Sequence, residues 1–296
     1  MKAIYKKEVK SYLTSMIGYV FIFFILLLEG IYFTAYNLQN AYPLFGTTLS
    51  AVTFIFLILV PVLTMKTIAE ERKQKTDQLL LTAPVSVSEI VLGKFLAVAT
   101  VYAIPVLIIC LYPMIMGKYG TVSYAMAYTA VLGFALLGFA QIAVGVFWSS
   151  VTENPVIAAV VTFIVLFVCY MITGIGSLIP DSSMASLACY MLLVLLAAVW
   201  IYHMIRNLWI AAVIGIAGEA ALAITYVVKS TLFEGSIQKF LSVFDITSHF
   251  DNFTNGILDL QGVVYFLSVI IIFLVLTVHF FQLIGQLFND IPVVGG

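Results

Sequence analysis

Long apolar runs separated by short polar breaks set the pattern of this chain. Eight such runs cover approximately residues 16–37, 51–69, 91–116, 122–148, 155–178, 184–203, 208–228 and 262–284. Each is close to the roughly 20 residues a helix needs to cross a bilayer. Within each, apolar positions are continuous rather than alternating, which excludes a β-barrel. The pattern predicts an all-α, polytopic membrane protein with about eight transmembrane helices, forming one transmembrane domain over 1–296. The two largest gaps, 70–90 and 229–261, are too short for a soluble domain, so any work outside the bilayer falls to them. Pro61, Pro105, Pro113 and Pro155 lie within or at the ends of runs and mark positions for kinks, whether flexing or static.

Three shorter patterns add detail. In residues 1–15, at about 100° per residue, Met1, Tyr5, Val9 and Tyr12 share one face while Lys6, Lys7 and Lys10 point elsewhere. This predicts a basic amphipathic helix lying in the membrane interface; the plainer alternative is a positive flank that only sets topology. In the 70–90 gap, Arg72, Lys73, Lys75, Thr76 and Asp77 read as the polar start of a helix whose apolar patch is Leu79, Leu80 and Leu81. Pro84 breaks that helix, and Ser86 with Glu89 has the spacing of a capping box that starts the next one. In the 229–261 gap, Phe233, Ile237, Phe240, Leu241 and Phe244 recur at helical spacing. Asp245 to Ser248 interrupt, and Phe250, Phe253 and Ile257 follow, predicting two short re-entrant helices.

Composition agrees with lipid as the main solvent: of 296 residues 63% are hydrophobic and 9% charged, against roughly 25% charged in an ordinary soluble domain. Thirteen basic residues against fourteen acidic ones leave no basic field for nucleic acid. Cys110, Cys169 and Cys189 sit inside apolar runs without ligand spacing and read as packing residues. His203, His249 and His279 pair with no Cys or carboxylate at ligand spacing, so no metal site is expected. The basic residues also predict orientation. With a cytoplasmic N-terminus, ten of the thirteen fall inside, and only Lys118, Lys229 and Lys239 fall outside. Both termini are then cytoplasmic, and the first run is a signal anchor rather than a cleaved leader.

The 70–90 gap and its continuation resemble the ABC-2 type permeases, specifically the gliding-motility-like branch of ABC transporter membrane subunits. The residues that carry the resemblance are Glu71, Arg72, Thr76, Leu80, Leu81, Thr82, Pro84, Val85 and Ser86, then Glu89, Ile90, Gly93, Lys94 and Phe95. The pattern departs at Lys75, where that family usually has Gly. A second stretch, His249, Phe250, Phe253, Gly256 and Asp259 ahead of the last run, is similar to the re-entrant outer helices of the same family. The resemblance implies a six-span core with 184–228 as an added hairpin. It also implies an exporter subunit in the cytoplasmic membrane that is not itself an enzyme and binds no cofactor, ATP and Mg being held by a partner. Two such permease subunits would work with two cytosolic ABC ATPase subunits, and an outer-facing accessory protein is a further possible partner. The absence of a G-x-x-x-x-G-K-[ST] phosphate loop agrees with this. By the resemblance, Glu71, Arg72, Thr76, Leu79, Leu80, Leu81, Thr82, Pro84, Ser86 and Glu89 form the ATPase-coupling segment.

Two carboxylates, Glu29 and Glu219, fall inside apolar runs, where a charge costs on the order of 2.5–3.5 kcal/mol on insertion scales. They are candidates for a transport path or a subunit interface, with a hydrogen-bonded packing role as the alternative. They also support a second functional reading, a proton-coupled secondary transporter or channel that uses Glu29 and Glu219. Asn252-Phe253-Thr254 matches a glycosylation sequon, for which a plain loop reading is preferred.

Overall fold

The structure, a computed structural model, describes residues 1–76, 85–205 and 208–289, with backbone alone at 200, 203–205, 208, 210–211 and 284–289. It is helical throughout, and no strand occurs among the described residues. A backbone in lipid must satisfy its hydrogen bonds internally, so each apolar run of the sequence closes into helix. The basic N-terminal segment forms α1 (Lys2–Thr14), and the first run forms α2 (Met16–Tyr32), which continues as a π-helical segment over Phe33–Gln39. The second forms α3 (Phe45–Thr53) and α4 (Phe56–Thr64), followed by the short α5 (Ala69–Lys73). Then come α6 (Val87–Ile109), α7 (Tyr112–Met116), α8 (Tyr124–Val151) and α9 (Pro155–Ser177). The hairpin is α10 (Ser183–Ile205) and α11 (Leu208–Val228), and the chain ends in α12 (Ser236–Ser242), α13 (Ser248–Thr254) and α14 (Leu260–Asn289). Among the described residues five helices are long and apolar enough to cross a membrane, or up to seven if each of two bent pairs is one span.

The bent pairs refine the expected spans. The second span begins at Phe45 rather than near residue 51, and its 60° bend lies between Thr53 and Phe56 rather than at Pro61. The break has a local cause: Ile55, Leu57 and Ile58 donate to carbonyls three residues back, at 3.0, 3.2 and 3.0 Å, which tightens the helix there. Pro61 sits inside α4 without starting the bend. The second pair turns by 116° between residues 212–228 and Ser230–Ser242.

The chain separates into two compact units, one made of 1–167 and Thr247 onward, the other of Val168–Ile246. In the first, α8 is the central post, and its small residues let neighbours approach closely. The Tyr102 ring occupies the place a side chain at Gly138 would take, and the Tyr102 hydroxyl donates to the Phe134 carbonyl at 2.7 Å. Phe21, Phe56, Phe134 and Phe139 pack around that ring. Farther along α8, Thr64 of α4 fills the space beside Gly145. The second unit contains the predicted 184–228 hairpin. There the Thr173 hydroxyl donates to the Asp245 carboxylate, which is buried, and Gln238 donates to the Ile179 carbonyl at 2.9 Å.

Candidate functional site: a charged junction under the 70–90 segment

Elements distant in sequence meet at Lys94, which is 1% exposed although it carries a primary ammonium. Such a group is tolerated away from water only when paired and hydrogen-bonded. Its Nζ lies 2.9 Å from Glu71 Oε2 and 3.2 Å from Glu8 Oε1, and donates to the Thr67 carbonyl at 2.7 Å. The first of these is an ion pair whose angle falls outside that of a hydrogen bond. Lys7 completes the group, 3.1 Å from Glu71 Oε1 and 3.5 Å from Glu8 Oε1. Two lysines thus face two glutamates, and the cluster is neutral overall. A polar cleft of about 310 Å³ opens onto it.

Each partner is delivered by a different element for a local reason. Glu8 lies on the buried face of α1 one turn from Tyr12, whose hydroxyl shares a 3.0 Å hydrogen bond with Thr67. Burial pushes the Tyr12 phenol well above its usual range, so it stays a neutral partner. Tyr5 bonds Thr100 of α6 at 3.0 Å, and Gly93 lets Ile4 approach α6 closely, a side chain there meeting Ile4 at 3.4 Å. Tyr5 and Tyr12, on the shared face read from the sequence, thus tie α1 to α6 and to the Thr67 turn. Lys7 titrates above its ordinary range: burial works to lower it, but the Glu71 carboxylate and then Glu8 more than offset that. Its share of stability is fully present below its ordinary value and is lost only as pH rises through the raised one.

The other side of α5 is clasped by the end of α8. Ser149 Oγ accepts the amides of Ile68 and Ala69, both at 3.1 Å, and donates to the Met65 carbonyl. Arg72 donates to the Ser150 carbonyl and lies 3.5 Å from Glu153. Adjacent residues of the motif thus point opposite ways, Glu71 into the Lys94 junction and Arg72 onto α8.

The structure corrects the helix expected here. The polar start expected over Arg72 to Asp77 is not one continuous helix, because α5 ends at Lys73; Asp77 lies outside the described residues. The Thr76 amide bonds the Glu71 carbonyl at 2.9 Å, the Lys75 amide bonds the Arg72 carbonyl at 3.0 Å, and Lys75 has φ of +56°. This is a Schellman cap, whose left-handed position favours Gly. The departure from the family pattern at Lys75 thus has a physical meaning. Lys75→Gly is expected to stabilise α5 by about 1 kcal/mol, read as roughly fivefold slower amide exchange over Ala69–Lys73. Unchanged or faster exchange would refute this. Leu79, Leu80, Leu81, Thr82 and Pro84 lie outside the described residues. Ser86 does cap α6, accepting the Glu89 amide at 3.3 Å, while the Glu89 carboxylate turns to the Met1 ammonium at 3.4 Å.

The His249 motif forms a separate, structural assembly. Phe250 and Phe253 are buried in the first unit, Gly256 has φ of +77°, and Asp259 caps α14 through the Gln261 amide at 2.9 Å. Asn252, the sequon residue, donates to the other Asp259 oxygen at 2.9 Å, and these bonds hold the Asp259 carboxyl below its usual range. His249 stacks on Tyr265 with centroids 3.8 Å apart.

Glu29 belongs to the first unit and Glu219 to the second. Glu29 is fully buried in α2, and neither oxygen has a hydrogen-bond partner among the described residues. An unsatisfied buried group of this kind costs about 1–3 kcal/mol. Glu29→Met is expected to raise the unfolding midpoint in detergent by that order of free energy and to leave ATP-driven transport intact. Lost transport in a correctly folded variant would instead place Glu29 in the transport path.

Sequence reasoning missed Glu8, and it read Lys94 as part of the family motif and as a topology signal but not as a partner of two carboxylates. The available signal was an acid on the apolar side of a basic helix, in register with Tyr5 and Tyr12.

Apolar helices of spanning length, built around a charged junction beneath one short loop, define a multi-pass membrane protein. Over residues 2–288 the chain matches the family model described as ABC-2 family transporter protein, and it belongs to that family. No curated protein matches it at a significant level.

Proposed function

We propose that this chain is the permease subunit of an ABC exporter in the cytoplasmic membrane, with both termini cytoplasmic. ATP and Mg are bound by two copies of a cytosolic ATPase, and two permease subunits, identical or different, complete the unit. An outer-facing accessory protein is a further candidate partner. The 70–90 segment is the coupling element. Lys94 carries this reading, because it ties the helix bearing Glu71 to α6 and α1 in one charge-neutral group, while Arg72 ties the same helix to α8. A displacement imposed on the loop is therefore passed to three helices at once, since well-packed, paired groups move together rather than deform.

The test is co-expression with any ABC ATPase that the genes beside this one encode, purification, and reconstitution in lipid nanodiscs. A stoichiometric complex is expected, with ATP hydrolysis that changes on assembly. Arg72→Ala should leave the complex assembled while reducing that change several-fold. Failure of any ABC ATPase to co-purify, together with ion-gradient-driven flux by the lone chain in liposomes, would favour the secondary-transporter reading instead.

A further inference from the structure

The hairpin of α10 and α11 carries a feature that ATP coupling does not use. A groove of about 310 Å³ runs along it, lined by Leu195, Val199, Tyr202, Ile216 and Glu219 among others. Val199 and Ile216 are more than half exposed at its rim. In lipid an exposed apolar rim is ordinary, but the carboxyl is not. Glu219 lies mid-way along α11, and its Oε1 is sequestered with no hydrogen-bond partner among the described residues. The glycines beside it are already used within the hairpin: side chains at Gly215 and Gly218 would meet Ala198 at 3.1 Å and Val194 at 2.9 Å. They close α11 on α10 along the floor of the groove, whose lining includes Ala198 and Gly215 themselves, with Glu219 one turn beyond Gly215.

The chemistry of the carboxyl selects the occupant. A lipid acyl chain fills apolar space but brings no donor. A second copy of the hairpin meets Glu219 with Glu219. Nor does the rest of this chain offer a cation at matching depth: its 13 Lys and Arg fall outside the apolar runs or at their ends, apart from Lys94 near the start of α6, which the junction already engages. We infer that the groove receives a transmembrane helix of a different protein, one that carries a Lys or Arg near its centre and pairs it with Glu219. The apolar rim supplies contact area, and the charge pair supplies depth and selectivity, because each charge is costly in lipid without the other.

The test uses the purified full-length chain, donor-labelled, in phosphatidylcholine liposomes with acceptor-labelled synthetic helices. Each helix is a 21-residue Leu/Ala peptide with Lys, Leu or Glu at its centre. Energy transfer to the Lys helix is expected to exceed that to the Leu or Glu helix at least tenfold in apparent affinity. Glu219→Gln should remove that preference while leaving weak binding of all three. Ile216→Trp, which fills the groove and keeps the carboxyl, should weaken the Lys helix as well. Equal transfer to the Lys and Leu helices would overturn the proposal, as would a preference that survives Glu219→Gln. So would transfer between two labelled copies of the chain that Glu219→Gln abolishes, which would assign the groove to a second copy.

Discussion

Lys94→Met is expected to cost about 3–5 kcal/mol of stability, the range for removing one partner of a buried ion pair. The size follows from what remains: Glu8, at 8% exposure, and Glu71 would keep only Lys7, which is itself 65% exposed and 3.1–3.5 Å away. Thermal unfolding in detergent reads this directly, and an unchanged midpoint would show that the junction does not hold the fold. A second variant separates stability from coupling. Combining Lys94→Met with Glu8→Gln and Glu71→Gln removes the three least exposed charges of the group at nearly constant volume and leaves only the solvent-exposed Lys7 charged; such replacements are often neutral. The triple variant is therefore expected to recover most of the lost stability. If the junction transmits motion from the loop, ATP-driven transport stays impaired in it; full transport in the triple variant would reduce the junction to a packing device.

Phe253→Ala should cost a comparable amount, about 3–5 kcal/mol, the range for removing a buried aromatic. The ring is slotted between two glycines on different helices. A side chain at Gly133 of α8 would come within 2.5 Å of it, and one at Gly262 of α14 within 2.7 Å. It also packs against Phe266 with the two rings tilted by 48°. Gly262→Ala alone, whose methyl would meet the far edge of the ring, overfills this slot and should cost about 1–3 kcal/mol. Made in the Phe253→Ala background, the same change enters vacated space, so the two losses should sum to clearly more than the loss of the double variant. Strict additivity would contradict the slot.

Several parts of this arrangement were legible along the chain. Each of the eight apolar runs corresponds to helix, because continuous apolar sequence in lipid has no other way to satisfy its backbone. The cap at Ser86 was readable because it depends on atoms three residues apart. The 229–261 stretch was readable as two short helices, because the spacing of its Phe residues is a property of one helix at a time, although the break between α12 and α13 falls at 243–247 rather than at Asp245 to Ser248. Lys75 marked an anomaly whose cause, a left-handed cap, appears only in the backbone.

The junction itself was not legible. Glu8 and Lys94 are 86 residues apart, and neither local pattern distinguishes a lysine that sets topology from one that holds two carboxylates. The same limit applies to Phe253, whose partner glycines lie on α8 and α14, and to the bend of the second span, which the proline pointed to at the wrong residue. Periodicity and composition are short-range quantities, and they determined that this chain is a bundle of membrane helices of the ABC-2 kind and where its helices run. Which charges are neutralised, which aromatic fills which gap, and which carboxyls are left without a partner depend on the packing of distant segments. Those matters were settled by close approach at small residues and by the cost of an unpaired charge away from water.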